Sequence, residues 1–169
     1  MDVRTRAATG SDAAAFALSY NQGIEEDRIA TFETQLRTPA ERQPWLAEHG
    51  EDHPVIVAEA GGEIVGWAGV SPYRSRPCYA GIGEHSVYVR RDWRGRGVGG
   101  VLLLALVEAC RARGFWKLVS WIFTFNTGSR ALHLRMGFRE VRIYEKRTLP
   151  DGRWLDCVIV ERLIPENMR

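Results

Sequence analysis

The chain has 169 residues, of which 45% are apolar and 26% are charged, and this composition excludes a mainly disordered protein. The length predicts a single domain over residues 1–169, because two full-size domains need a longer chain. A net charge of +2 gives no support for binding to nucleic acid or to an anionic membrane.

The first half of the chain predicts a strand, two helices and a hairpin. Thr38 and Glu41 form a capping box around Pro39, which suits the first position of a helix. Gly61 and Gly62 separate two β-branched segments and so predict a tight hairpin turn. The expected elements are a strand over Val3–Ala7, helices over Ala13–Asn21 and from Pro39 to about His49, and paired strands over Val55–Ala60 and Glu63–Val70.

The second half alternates strands and helices. Gly114 and Gly137 end two helices, and the Pro-Asp-Gly sequence at 150–152 marks a turn between the last two strands. The segment Trp116–Phe123 is apolar with little alternation, which indicates a strand buried on both faces. The expected elements are strands over Gly83–Val89, Trp116–Phe123, Phe138–Lys146 and Trp154–Glu161, and helices over Gly97–Arg113 and Asn126–Arg135. This order predicts a mixed α/β sheet with helices on both faces.

The three cysteines, Cys78, Cys110 and Cys157, lie far apart, without the C-x-x-C spacing or the histidine partners of a zinc site. We therefore expect no metal, and a reducing cytoplasm is the simplest setting. The longest apolar stretch, 98–107, is far below the roughly 20 residues that cross a bilayer, so we expect no membrane contact. Residues 1–4 contain no apolar leader.

The segment Arg94–Gly100 is a glycine-rich turn between a predicted strand and a long predicted helix. Free backbone N–H groups and the helix dipole favour an anion there, and glycines let a bulky phosphate come close. Four arginines surround the turn: Arg90, Arg91, Arg94 and Arg96. The segment is therefore a candidate pyrophosphate cradle; the alternative is an ordinary strand-to-helix turn with solvated arginines.

Two common nucleotide motifs do not fit this turn. Gly95, Gly97 and Gly100 match G-x-G-x-x-G, but they lie past mid-chain rather than in a first βαβ unit. The segment 117–126 also lacks the acidic residue that holds the ribose in dinucleotide folds. A P-loop is excluded because no Gly-Lys-Ser or Gly-Lys-Thr follows.

In another frame the turn has the pattern Arg94-x-x-Gly97-x-Gly99, which resembles the coenzyme A pyrophosphate loop of the GNAT superfamily of N-acetyltransferases. Four motifs in matching order resemble the phosphinothricin acetyltransferase family: Pro72–Arg76 with Tyr79, Glu84–Val89, Ala131–Phe138 and Gly152–Asp156. The resemblance implies a GNAT-like fold, with a mixed, mostly antiparallel twisted sheet of about seven strands and helices on both faces. It also implies acetyl-CoA as co-substrate, no metal, and a homodimer.

The resemblance further implies roles in the catalytic step. Glu84, at the start of a strand, is either the base that takes the proton of the attacking amine or a surface carboxylate that balances Arg74 or Arg76. His133 stands where many GNAT enzymes have a tyrosine proposed to protonate the thiolate; it is either this acid or a core histidine. His85 points to the opposite face of a regular strand, and we interpret it as structural.

The coenzyme and the amino-acid substrate are expected to contact separate sets of residues. The expected coenzyme residues are Val87, Tyr88, Val89, Arg94, Gly95, Arg96, Gly97, Val98, Gly99, Gly100, Asn126 and Ser129. The expected substrate residues are Phe32, Arg74, Arg76 and Tyr79. A pair of guanidinium groups suits a carboxylate or phosphinate, although the arginine-rich composition also explains the pair. Three residues are either pocket walls or dimer or core residues: Tyr144, Trp154 and Asp156.

The implied activity is acetyl-CoA-dependent acetylation of the α-amino group of a small glutamate-like amino acid. Phosphinothricin, methionine sulfoximine and arsinothricin are examples, with detoxification as the implied role. No cysteine stands at the position of Glu84, so direct attack within a ternary complex is preferred over an acyl-enzyme. The alternatives are an acetyltransferase for another amine, such as an ordinary amino acid or a polyamine, and a noncatalytic acetyl-CoA-binding module.

Overall fold

The computed structural model describes residues 2–27, 31–50 and 52–168, and within them it contains a seven-stranded sheet and four α-helices. The strands are β1 (Arg4–Ala7), β2 (Val55–Ala60), β3 (Glu63–Pro72), β4 (Ile82–Val89), β5 (Lys117–Phe123), β6 (Arg139–Thr148) and β7 (Leu155–Leu163). The helices are α1 (Ala13–Gln22), α2 (Pro39–Glu48), α3 (Val98–Ala112) and α4 (Thr127–Arg135). Every predicted helix and strand is present, and the ends differ by about one or two residues, the usual uncertainty of such boundaries.

Local chemistry explains where several elements begin. The Oγ1 of Thr38 accepts the N–H of Glu41 at 3.3 Å, and the Glu41 carboxylate accepts the N–H of Thr38 at 2.7 Å. These two bonds close the capping box at the start of α2. Gly61 and Gly62 both have positive φ, 59° and 83°, as the tight turn between β2 and β3 requires. A π-helical turn, Gly23–Asp27, follows α1 and is not predicted by the sequence pattern.

The strand order is β1-β2-β3-β4-β5-β7-β6, and among the described strands only the β4–β5 pair is parallel. This confirms the mixed, mostly antiparallel sheet. Helices α1 and α2 cover one face, where Phe16 stacks on Trp67 with 4.6 Å between ring centroids. Helices α3 and α4 cover the other, where Leu102 is fully buried. No helix within the described ranges combines the length and apolar composition needed to cross a bilayer.

The parallel pair β4–β5 is short and then opens. Its partners are Ile82 with Lys117, Gly83 with Leu118 and Glu84 with Val119. Beyond them the strands continue to Val89 and Phe123 without pairing to each other, while β4 stays paired with β3 and β5 with β7. At the branch, the Oγ of Ser120 donates to the carbonyl oxygen of His85 at 2.9 Å. A gap in the middle of the sheet results, and it is closed at the Glu84 end.

Candidate active site

A cavity of about 570 Å³ fills the gap between β4 and β5. Both strands and the first turns of α3 and α4 supply its walls: Val87–Val89, Gly97–Gly100, Ser120–Phe123 and Asn126–Ser129. The side of β4 that faces this space pairs with no neighbouring strand beyond Glu84 in the described chain. Backbone amides on such an open edge can pair with an extended ligand as an added strand does.

The glycine-rich turn adopts two left-handed positions and then begins α3. Gly95 and Gly97 have φ values of 72° and 85°, a region that favours glycine, and Gly97 is the N-cap of α3. Both line the cavity, so the positive end of the helix dipole borders it. Gly99 has a different requirement, because a Cβ there would lie 2.8 Å from Cδ2 of Leu132, so the Leu132 side chain would have to move. The turn therefore fits a pyrophosphate.

The arginines around this turn differ in their surroundings. Arg94 lines the cavity, and its Nε donates to the last carbonyl of β4 at 3.1 Å. Arg96 does not line the cavity; its guanidinium carbon lies 5.3 Å from the ring centroid of Trp93. Arg90 forms ion pairs with two surface carboxylates. Arg135, at the end of α4, lines the cavity although the sequence pattern does not distinguish it.

Asn126 and Ser129 stand where α4 begins at the wall of the cavity. The Oδ1 of Asn126 accepts the N–H of Ser129 at 3.1 Å, which caps the helix, and both residues line the cavity. All predicted coenzyme residues except Arg96 therefore border one space.

Glu84 lies at the closed end of the gap, in the last pair that joins β4 to β5. Its side chain is half-buried and does not itself line the cavity, but it shares a face of β4 with Ser86, which does. Burial raises the pKa of the Glu84 carboxyl above its usual value, and the positive charge of Arg147 partly opposes this shift. The charge that acts on Glu84 is thus Arg147, not Arg74 or Arg76, and the raised pKa improves Glu84 as a proton acceptor.

His85 and His133 form a pair sealed from bulk solvent on the opposite face of β4, each with 1% of its surface exposed, and His133 also lines the cavity. Their Nε2 atoms are 2.9 Å apart, and the Nδ1 of His133 lies 2.7 Å from the carbonyl oxygen of Ser129. The Nδ1 of His133 must therefore carry the proton, while its Nε2 accepts one from His85. Burial lowers the pKa of His133. Neutral His133 has no N–H left for a thiolate in the cavity, which favours the core histidine over the general acid.

The predicted substrate residues are spread along the rim rather than gathered in one pocket. Phe32 lines the cavity and packs edge-on against Phe123 of β5, with 5.2 Å between ring centroids. Arg74 and Arg76 are exposed on the loop before β4. Within the described chain neither of them lines the cavity, and neither does Tyr79, which packs edge-on against the tyrosine that precedes Arg74.

Two residues that the sequence pattern does not distinguish stand near Glu84. Trp121 lines the cavity, and the guanidinium carbon of Arg147 lies 4.4 Å from the centroid of its ring. Glu84 pairs with Val119, two residues before Trp121 on the same face of β5, so Glu84 and Trp121 share one face of the sheet. Alternation along β5 could have placed Trp121 there, but an apolar strand gives no sign of which side chains border a ligand.

The three candidates in the last hairpin have three different surroundings. The ring of Tyr144 lies 5.1 Å from that of Trp121, so it packs behind a residue of the cavity wall without lining the cavity itself. The Oδ1 of Asp156 accepts the N–H of Lys146 at 2.8 Å and so holds the hairpin together. Trp154 is 56% exposed.

A model of the acetyltransferase (GNAT) family matches residues 21–138. This match agrees with the parted strands, the helix N-terminus at the cavity and the carboxylate at the closed end of the gap. The chain belongs to this family. This GNAT chain is 37% identical over 165 residues to a phosphinothricin N-acetyltransferase of Streptomyces coelicolor, covering 95% of this chain and 96% of the relative. It is an acyltransferase.

Two further comparisons agree. An L-methionine sulfoximine/L-methionine sulfone acetyltransferase of Pseudomonas paraeruginosa is 35% identical over 163 residues, covering 95% of the GNAT chain and 94% of the relative. A GNAT superfamily phosphinothricin acetyltransferase of Sinorhizobium meliloti, solved in complex with acetyl-CoA, superposes with a TM-score of 0.90 at 30% identity. That match covers 97% of this chain and 89% of the other. Acetyl-CoA thus binds to a structural relative of this GNAT enzyme.

Proposed function

We propose that this enzyme transfers the acetyl group of acetyl-CoA to the α-amino group of a small glutamate-like amino acid, such as phosphinothricin, methionine sulfoximine or arsinothricin. The observation that carries the proposal is the placement of Glu84 at the closed end of a cavity whose other end is a helix N-terminus. The names of the Streptomyces coelicolor and Pseudomonas paraeruginosa relatives support this acceptor class.

The chain's own residues fit the coenzyme at two places. Gly97 and the N-terminus of α3 suit the pyrophosphate, and Arg94 and Arg135 add positive charge beside them. The open edge of β4 over Val87–Val89 suits the amide-bearing pantetheine arm, and a backbone N–H there can hold the developing oxyanion. Acetyl-CoA, when bound, supplies the activated carbonyl carbon.

Glu84 is the proposed base for the amine. An α-ammonium group must lose a proton before it can attack, and the proton goes to a Glu84 carboxylate oxygen, directly or through one water. The amine nitrogen then forms the new C–N bond while the C–S bond of the thioester breaks, and the second proton that the nitrogen loses passes to water. Since His133 has no free N–H, we assign no general acid from the chain, and the thiolate takes its proton from water. None of the described cysteines lines the cavity, which supports direct transfer without an acyl-enzyme.

A thiol-release assay tests the acceptor class. Purified enzyme is given acetyl-CoA with a panel of acceptors: phosphinothricin, methionine sulfoximine, arsinothricin, glutamate, neutral amino acids and polyamines. We expect the highest kcat/KM for the glutamate analogues. A higher value for a neutral amino acid or a polyamine would contradict the proposed acceptor, and thiol release from none of them would contradict the proposed activity on small amines.

We also propose that the protein is a homodimer. The outermost strand β6 leaves Val141 and Ile143 exposed, and the adjacent helix α4 leaves Leu134 exposed. Apolar side chains exposed at a sheet edge are a common feature of contact surfaces between subunits. Sedimentation velocity should give about twice the mass of one chain, and the variant Ile143→Arg should lower it to that of a monomer.

A further inference from the structure

A stacked cation stands beside the proposed base. The guanidinium carbon of Arg147, on β6, lies 4.4 Å from the centroid of the Trp121 ring. Trp121 lines the cavity on the face of the sheet that also carries Glu84. An arginine packed over the face of an aromatic ring has less freedom to turn its planar fork of donors. Arg147 is exposed and does not itself line the cavity, so it reaches the site through its contact with Trp121, which does.

The charge of Arg147 is not neutralised by the described part of the chain. Arg147 forms no ion pair with any carboxylate in those ranges, and it packs on the ring of Trp121. Of the described charged groups, it is the one whose field acts on Glu84. A cation near a carboxylate but not paired with it leaves room for a ligand that carries both charges. An α-amino acid is such a ligand, since one carbon atom joins its ammonium and carboxylate groups.

The other arginines predicted at the substrate are placed differently. Arg74 lies on the loop before β4, 5.1 Å from the ring centroid of Tyr73, and its charge interacts with Tyr79 and Tyr144. Tyr144 stands against Trp121, so Arg74 approaches the same site from its outer rim. Arg147 is exposed as well, but its charge acts on Glu84, which that of Arg74 does not. Two cations at two positions on the rim suit an acceptor that has two anionic groups.

We infer that Arg147 binds the α-carboxylate of the acceptor and so selects α-amino acids with a free carboxylate over their amides and over simple amines. This inference rests on the proposed function, because it assigns one part of that acceptor to one residue. With the carboxylate on Arg147, the α-nitrogen is directed to Glu84, and the side chain of the acceptor extends toward Arg74. Arginine suits the role because its fork matches the two carboxylate oxygens.

Acceptors that differ only in the α-carboxylate test this assignment. Methionine sulfoximine and phosphinothricin are each assayed as the free acid and as the α-carboxamide, with wild type, Arg147→Gln and Arg147→Lys. Loss of a charge-assisted hydrogen bond predicts that Arg147→Gln lowers kcat/KM for the free acid by about 10- to 100-fold and hardly changes that for the amide. Arg147→Lys should restore part of the loss. The acid-to-amide ratio of kcat/KM is compared between wild type and variant. The acid and the amide differ in amine basicity, but this difference is the same for each enzyme and cancels.

Lys146→Gln is the matched control. It removes one positive charge from the adjacent residue of the same strand, which is exposed like Arg147 but does not contact Trp121, and it should leave the acid-to-amide ratio unchanged. If Arg147→Gln lowers kcat/KM for acid and amide equally, Arg147 does not bind the α-carboxylate and the inference is wrong. A pH profile then shows whether the change arises through Glu84 instead.

Binding measured without turnover separates this inference from the proposed function. Calorimetric titration of each acid and its amide into enzyme saturated with coenzyme A gives the acid-to-amide ratio of dissociation constants. Should the wild type acetylate no amino acid but still bind the free acids through Arg147, the proposed function is wrong and the inference stands. Should acid and amide bind equally well to wild type and Arg147→Gln, the inference is wrong whatever the activity.

Discussion

The two faces of β4 hold titratable groups that are adjacent in the chain and differ in access. Glu84 is half-buried at the end of a cavity, beside Trp121 and the charge of Arg147. His85 is 1% exposed, and its ring packs against His133 and the ring of Phe138. Burial raises the pKa of Glu84, and burial together with the neighbouring His133 lowers the pKa of His85 to about 3.

Burial thus moves both groups toward their neutral forms, yet it has two different consequences. On the open face, a carboxyl with a raised pKa can take a proton from a ligand that reaches it. On the sealed face, the lowered pKa only keeps both histidines neutral, with one hydrogen bond between their Nε2 atoms. A perturbed pKa marks a reactive group only where a cavity also gives access to it.

The largest effect is expected from removing the base of the open face. Glu84→Gln keeps the volume of the side chain and removes the proton acceptor, so kcat should fall by about 10²- to 10⁴-fold. The dissociation constant of acetyl-CoA should not change, because Glu84 does not line the coenzyme cavity. Steady-state kinetics against pH and calorimetry with acetyl-CoA measure the two quantities.

The acidic limb of the pH–rate profile tests whether Glu84 is the base. Protonation of Glu84 should produce this limb in the wild type, and its raised pKa places the limb above the usual range of glutamate. Near-wild-type turnover in Glu84→Gln, with the acidic limb intact, would remove Glu84 as the base and with it the difference between the two faces.

The next effect is expected at the coenzyme end of the cavity. Gly97→Val places a side chain at a residue with φ of 85° at the start of α3, where it obstructs approach to the helix N–H groups. Loss of one or two charge-assisted hydrogen bonds predicts about 10- to 100-fold weaker binding of coenzyme A. Calorimetric titration of coenzyme A into the variant measures this change.

Gly62→Val is its matched control. Gly62 has φ of 83° in the turn between β2 and β3, and at both glycines a Cβ would meet no described atom within 4 Å. The two variants should therefore lose similar stability, about 1–2 kcal/mol, from the strain of a left-handed residue. Equal affinities for coenzyme A in both variants would show that the turn does not bind the coenzyme. Gly99 is unsuited to this test because valine there would also collide with Leu132.

The order of elements could be predicted from the sequence because its signals are local. The capping box of Thr38 and Glu41, the turn at Gly61 and Gly62, and the stop at Gly114 each act within a few residues. The regular alternation of side chains along a strand likewise predicts that Glu84 and His85 lie on opposite faces of β4, and they do.

Contacts between distant segments could not be predicted in the same way. His85 and His133 are 48 residues apart, and no pattern in either segment indicates that their Nε2 atoms meet. Arg147 reaches Trp121 only because β6 and β5 lie on either side of β7. The glycine pattern predicts that Gly99 allows a close phosphate, but Gly99 also makes room for Leu132, a requirement that depends on how α4 packs.

The sealed face predicts a smaller, pH-dependent effect on stability. The pKa of His85 is about 3 in the folded chain, below the usual value of 6.5, so the unfolded chain binds the proton first as the pH falls. Stability is therefore lost below about pH 6.5, by about 1.4 kcal/mol per pH unit for this one group. His85→Gln keeps a donor for His133 and removes this contribution. Urea unfolding at pH 7.5, 6 and 5 measures the slope.

Turnover of the same variant compares the two faces directly. At pH 8 the kcat of His85→Gln should stay close to the wild-type value, because His85 faces the core. If kcat falls as far as in Glu84→Gln, the histidine pair transfers protons during catalysis and the sealed face is not merely structural. An unchanged acid slope of stability would instead show that His85 is not held neutral.

The smallest effect is expected at the outer rim of the open face, where Arg74→Gln and Arg76→Gln separate the two predicted substrate arginines. Arg74 interacts with Tyr144, which stands against Trp121, whereas Arg76 caps a short turn and is exposed. Exposed charges interact weakly through water, and neither of these two acts on Glu84 as Arg147 does, so Arg74→Gln should raise the KM for a glutamate analogue by only about threefold to fivefold, and Arg76→Gln by less. The KM for acetyl-CoA should be the same in both. Equal increases of this KM in the two variants would mean that neither arginine is directed to the substrate. If neither variant raised this KM, the acceptor would be recognised only by residues at the cavity.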